Sequence, residues 1–124
     1  MISFDNFTTQ EGIPIYQQIL LHIKREIVAG TISDGDELPS RRVLSALLGV
    51  NPNTIQKAYR LLEEEDLIQS RSGAKSFMVL NEEKIQYIRQ SLLEDDIKTA
   101  IYSFQQMGLS KAEVFTLIDK YWAN

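Results

Sequence analysis

Apolar positions recur along this chain with helical spacing in five stretches and with strand-like spacing in two short ones. Ile15, Ile19, Ile23 and Ile27 return every fourth residue with Leu20 beside them, predicting a helix that Pro14 opens and Gly30 stops. Ser33-Asp34-Gly35-Asp36 reads as a turn. Ser40 is a good N-cap for a short helix, Arg41 to Leu48, with an inner face of Val43, Leu44, Leu47 and Leu48 and a stop at Gly49. Asn51-Pro52 then supplies a cap followed by proline, opening a third helix to about Glu65. Its core face is Ile55, Ala58, Tyr59 and Leu62. Leu67 to Arg71 and Ser76 to Leu80 predict two strands joined by a tip at Ser72-Gly73-Ala74-Lys75.

Beyond the strands lies a long helix from Glu82 to about Met107, with Ile85, Ile88, Leu92, Ile97, Ile101 and Phe104 on its apolar side. Gly108 is placed to end it, and Ser110 with Glu113 has capping-box spacing for a last helix carrying Val114, Phe115, Leu117, Ile118 and Trp122. Met1 to Gly12 reads as an arm whose Ile2, Phe4 and Phe7 need something to pack on. Helix, three-residue break and helix between Arg41 and Glu65, followed by a hairpin, is the spacing of a winged helix-turn-helix. The expected fold is mainly α with a small β-hairpin wing: residues 1–80 form the winged helix-turn-helix and residues 81–124 a two-helix tail.

Composition narrows the chemistry. The 124 residues contain no cysteine, which removes disulfides, thiolate metal sites and thiol catalysis. No apolar run has membrane-spanning length, and the first residues lack a signal-peptide pattern, so a cytoplasmic protein is expected. A net charge of −4 argues, taken alone, against a nucleic-acid partner. Its distribution reverses that, because salt screens charges beyond about 10 Å. No acid occurs from Leu38 to Leu62, where Arg41, Arg42, Lys57 and Arg60 all fall, and Arg71 and Lys75 extend the basic set. The acids gather at Asp34, Asp36 and Glu37, at Glu63 to Asp66 and at Glu94 to Asp96.

A helix entering the major groove needs short polar side chains in its first turn, and Asn51, Asn53, Thr54 and Gln56 are such residues. The plainer alternative makes Asn51 a cap and the others solvated. Arg41 and Arg42 stand at a helix N-terminus, where cations cost about 0.3–1 kcal/mol each. Reaching out to phosphates explains them, as does pairing with Asp34, Asp36 or Glu37. Lys57 and Arg60 suit phosphate contact or a solvated face. His22 has no second histidine beside it, so no metal is expected, and no cofactor loop or catalytic dyad is visible. An enzyme is not expected.

Pro14-Ile15-Tyr16-Gln17-Gln18-Ile19, Leu38-Pro39-Ser40-Arg41-Arg42-Val43-Leu44 and Gly49-Val50-Asn51-Pro52-Asn53-Thr54-Ile55-Gln56-Lys57-Ala58-Tyr59 together resemble the GntR family of bacterial regulators. The resemblance covers about residues 13–80. It implies that Arg42 contacts the DNA backbone, that Asn51 to Gln56 read the major groove, and that the wing tip, Arg71 to Gly73, approaches the minor groove. Asp66 stands where the family usually has glycine, predicting a strained backbone there, and Gly73-Ala74-Lys75 replaces the frequent Gly-x-Gly. Lys75 adds charge to the wing.

The residues after Leu80 are too few for the family's larger effector domains and resemble the short tail of its YtrA subgroup. That resemblance implies a homodimer held by the C-terminal helices, and genes that accompany ABC-transporter genes. The partner expected is a double-stranded DNA operator, with no membrane. A small-molecule effector stays open, since the tail aromatics suit either packing or a pocket. A rival reading, a winged helix used for protein–protein contact, calls for apolar or acidic residues at Asn53, Gln56 and Lys57; the chain has none there.

Overall fold

The computed structural model describes residues 1–71 and 75–123. In chain order its elements are α1 (Ile15–Ala29), β1 (Glu37–Leu38), α2 (Arg41–Leu48), α3 (Pro52–Glu64), β2 (Ile68–Ser70), β3 (Ser76–Met78), α4 (Glu82–Gln106) and α5 (Lys111–Tyr121). They divide into two compact units, Met1–Arg89 and Gln90–Asn124. The architecture is a mainly helical winged helix-turn-helix followed by C-terminal helices, as expected. Among the described residues no helix is long and apolar enough to cross a membrane.

In the first unit, local chemistry sets the helix ends. Ser40 Oγ accepts the Val43 N–H at 3.1 Å, and Asn51 Oδ1 accepts the Asn53 N–H at 2.8 Å. Between α2 and α3, Gly49 takes a left-handed conformation, φ 68°. The buried Ser45 hydroxyl donates to the Val50 carbonyl at 2.6 Å, fixing the turn from inside. Pro14 sits just before α1, at its N-cap, and not inside its first turn.

The core is formed by Ile19, Ile23 and Ile27 of α1, Leu44 of α2, Ile55, Ala58, Tyr59 and Leu62 of α3, and Leu67, Ile68 and Met78 of the wing base. Each large aliphatic buried here contributes about 1.5–3 kcal/mol. The expected inner face of α2 needs correction: Val43 and Leu47 are 54% and 62% exposed, and Ser45 joins Leu44 inside. An eight-residue helix packed against α3 turns only a narrow edge inward, and Ser45 lies on that edge with its hydroxyl bonded to the Val50 carbonyl.

The strands are shorter than expected, and among the described residues there are three of them. The antiparallel sheet has the order β1-β3-β2, with Leu38 opposite Ser76, Glu37 opposite Phe77, and Ile68 opposite Met78. The arm extends this arrangement, since the Ile2 N–H donates to the Glu37 carbonyl at 2.9 Å. Phe4 is buried with its ring centroid 4.8 Å from that of His22, and His22 Nε2–H donates to the Ser3 carbonyl. The Gln18 amide binds the arm at Gln10 N–H, Gln10 C=O and Ile13 C=O, satisfying a buried polar side chain.

Asp66 has φ 59°, the left-handed conformation that its place in a glycine position predicted. Its carbonyl accepts from Lys84 Nζ at 2.6 Å, which ties the first turns of α4 to the corner after α3. Lys84 also donates to the Val79 carbonyl, and the Leu80 N–H to Asp34 Oδ1 at 2.8 Å.

Tyr59 is the largest fully buried side chain, and its hydroxyl donates to the Pro39 carbonyl at 2.7 Å. Burial pushes its pKa far above the usual phenol range, with the nearby Arg41 charge working weakly the other way. The group stays a donor while folded, so its contribution is complete below pH about 10 and declines above that, as unfolded tyrosine ionises. Tyr59→Phe leaves the Pro39 carbonyl unpaired and should cost about 1–3 kcal/mol in urea unfolding.

The second unit contains the rest of α4 and α5. Gly108, φ 73°, closes α4, and the Ser110–Glu113 capping box opens α5 with both reciprocal bonds formed. No α5 residue is buried. An apolar groove of about 450 Å³ lies between the two helices, lined by Ile97, Ile101, Phe104, Leu109, Val114, Phe115 and Ile118 among others.

Candidate nucleic-acid interface

Helical periodicity sorts α3 into two faces. Ile55, Ala58, Tyr59 and Leu62 turn inward, while Asn53, Gln56, Lys57 and Arg60 are exposed, and Thr54 is half-buried at the border. Asn51 has given its side-chain oxygen to the helix cap, leaving only its amide nitrogen to reach elsewhere. The exposed strip therefore offers one amide side chain per turn, at Asn53 and Gln56, followed by two cations. Amide side chains of this kind can pair with adenine by two hydrogen bonds in the major groove.

The start of α2 is brought against the same strip. Arg41 lines a cleft of about 330 Å³ with Gln56, Arg60, Glu63 and Glu64. Its guanidinium carbon lies 5.3 Å from the Tyr59 ring centroid, and its Nε is buried without a hydrogen-bond partner. Two of the acids once eligible to pair with the arginines are engaged elsewhere, Asp36 with the Ser33 N–H at 2.7 Å and Asp34 with Leu80. Arg42 is exposed on the outer side of α2.

Lys57 does not extend freely into solvent: its Nζ sits 4.1 Å from the centroid of the Tyr16 ring at the start of α1. Arg60 Nε is 3.9 Å from Glu64 one turn on, a loose and exposed pair worth a few tenths of a kcal/mol. On the wing, the Arg71 N–H donates to the Lys75 carbonyl at 2.9 Å, and the Arg71 guanidinium lies over the Phe77 ring at 4.6 Å. Lys75 is exposed. Ser72 and Gly73, expected at the wing tip, lie outside the described residues.

Residues that sequence reasoning did not assign to the site enter it. Tyr16, Tyr59 and Phe77 lie beneath cations, and Glu63 and Glu64 border the cleft at Arg41. Glu63 also accepts from the Ser70 hydroxyl at 3.3 Å, linking α3 to β2. Tyr16 and Tyr59 had a signal in their places in the first and third stretches of the family resemblance, but their role beneath cations had none.

The profile of the bacterial regulatory proteins of the gntR family matches residues 15–78. The HTH-type transcriptional regulator YhcF of Bacillus subtilis is 30% identical over 105 residues, 85% of this chain and 87% of YhcF. The HTH-type transcriptional repressor YtrA of the same organism is 38% identical over 72 residues, 58% of this chain and 55% of YtrA. Among solved structures, a GntR family transcriptional regulator from Listeria monocytogenes superimposes with a TM-score of 0.79 at 32% identity, covering 90% of this chain and 98% of that one.

Proposed function

We propose, from the premise that this chain belongs to the GntR family of bacterial regulatory proteins and is a DNA-binding transcriptional regulator, that it acts as a homodimeric repressor of its operator. The observation that carries this reading is the exposed strip Asn53, Gln56, Lys57 and Arg60 on α3, within a stretch free of acids from Leu38 to Leu62. Arg42 neutralises a backbone phosphate, the first turn of α3 reads base edges, and Arg71 and Lys75 bring the wing to the neighbouring groove. Arg41 reaches the DNA from the cleft it shares with Gln56 and Arg60.

Two copies related by a two-fold axis read an inverted repeat whose half-sites lie about one helical turn apart. The copies meet through the C-terminal helices, residues 81–124. The apolar groove of the tail, open in one chain, supports that placement. Resemblance to the YtrA subgroup supports an ABC-transporter operon as the regulated target, in the cytoplasm.

The test is binding to the intergenic DNA upstream of its own operon, titrated against salt. Affinity should fall steeply as salt rises, since each neutralised phosphate releases counterions. Arg42→Ala should weaken all sequences alike and lower the salt slope by about one, while Gln56→Ala should cost about 1–3 kcal/mol and relax preference at one base pair. An Arg42→Ala chain with unchanged affinity would remove the backbone role assigned to it.

A further inference from the structure

Three cations of the proposed DNA face rest on aromatic rings: Lys57 on Tyr16 at 4.1 Å, Arg41 on Tyr59 at 5.3 Å and Arg71 on Phe77 at 4.6 Å. Among the described residues none of the three makes an ion pair. Arg60, on the same exposed strip of α3, is by contrast loosely paired with Glu64, and Lys24 of α1 is paired with Glu65. We propose that these rings are seats holding phosphate-contacting cations in place with their charge intact, and that Tyr16 is a positioning residue for DNA binding, acting through Lys57. The proposal rests on the DNA-binding reading above.

The physical distinction lies between two ways of holding a cation. A carboxylate seat cancels the charge, repels an incoming phosphate and must be displaced before contact. A ring face attracts the cation through its quadrupole, carries no net charge and leaves the N–H donors free. Lysine has much rotamer freedom to lose on contact, and a seat restricts that freedom in advance.

Geometry singles out Tyr16 as the seat that can be removed cleanly. It is half-buried at the first turn of α1, its hydroxyl accepts from Gln17 Nε2 at 3.1 Å, and it lies outside the core. Tyr59 is a core residue and Phe77 belongs to the central strand, so changing either disturbs the fold. The contact joins α1 to α3, so the ring fixes Lys57 from outside the recognition helix.

Phosphate contact is independent of sequence, so the experiment uses the full chain and a random-sequence duplex, with anisotropy titrations over a salt series. Lys57→Gln should lower the salt slope by about one. Tyr16→Leu should keep the wild-type slope yet weaken binding by about two- to fivefold at every salt concentration, as expected for an exposed cation–ring attraction. Tyr16→Phe should bind nearly as wild type, and Tyr16→Leu should cost nothing further in a Lys57→Gln background.

Equal losses from Tyr16→Leu with and without Lys57 would overturn the proposal, as would a Tyr16→Phe chain as weak as Tyr16→Leu, which makes the hydroxyl a direct contact. Wild-type protein that fails to bind the duplex at low salt overturns the DNA reading itself. That outcome is distinct from one in which binding occurs and the ring makes no difference.

Discussion

An Ile101→Asp chain should stay folded in its first unit, sediment as a monomer, and bind its operator on the order of a hundredfold more weakly or worse. Ile101 is 47% exposed in the single chain, and its groove neighbours Ile97, Phe115 and Ile118 are exposed to a similar degree. A contiguous exposed apolar surface rimmed by polar residues is a candidate contact for another protein chain. With α5 contributing nothing to a core of its own, the proposed two-fold partner is what covers it.

A carboxylate at the centre of that surface must lose its water to enter the dimer, which is costly among the apolar side chains that line the groove. The expected loss is large because each half-site alone is weak, while the second recognition helix binds at the high effective concentration that the first one creates. Analytical ultracentrifugation with operator titration on the same sample checks both halves of the expectation. A variant that remains dimeric would move the interface away from these helices.

Local chemistry made much of this molecule legible before its structure. Ser40, Asn51 and Ser110 each announce a helix start because a cap acts within three residues, and all three caps form. The two faces of α3 follow from a 3.6-residue period over thirteen residues, long enough to be unambiguous. The period misled on α2, where eight residues give two turns and only the packing partner decides which positions are inside. β1 carried no signal, since two residues cannot show alternation, and its pairing with Ser76 and Phe77 spans nearly forty positions.

The same limit separates the readable part of the site from the rest. The exposed amides and cations of α3 are visible in one helix. The seat of Lys57 depends on α1 meeting α3, with Tyr16 forty-one positions earlier in the chain, and the neighbourhood of Arg41 depends on α2 crossing the same helix. The strain at Asp66 was legible because it is a backbone matter of one residue. Its compensating bond to Lys84 was not.

Adjacent positions on α3 should separate folding from reading. Ile55 is wholly buried and Gln56, the next residue, is exposed. Ile55→Ala removes three buried carbon atoms and leaves a cavity that the surrounding core can fill only in part. The expected cost is about 2–5 kcal/mol, a large share of the ~5–15 kcal/mol that a domain of this size usually has. Urea unfolding should show it as a lower midpoint with an unchanged slope. Once titrations are corrected for the unfolded fraction, base preference should match wild type, because the exposed face of α3 is untouched. Gln56→Ala should do the reverse, with an unfolding curve that superimposes on wild type and altered discrimination among operator variants. If Ile55→Ala shifted base preference in the folded fraction, the two faces of α3 would not be separable, and the assignment of reading to the exposed strip would fail with them.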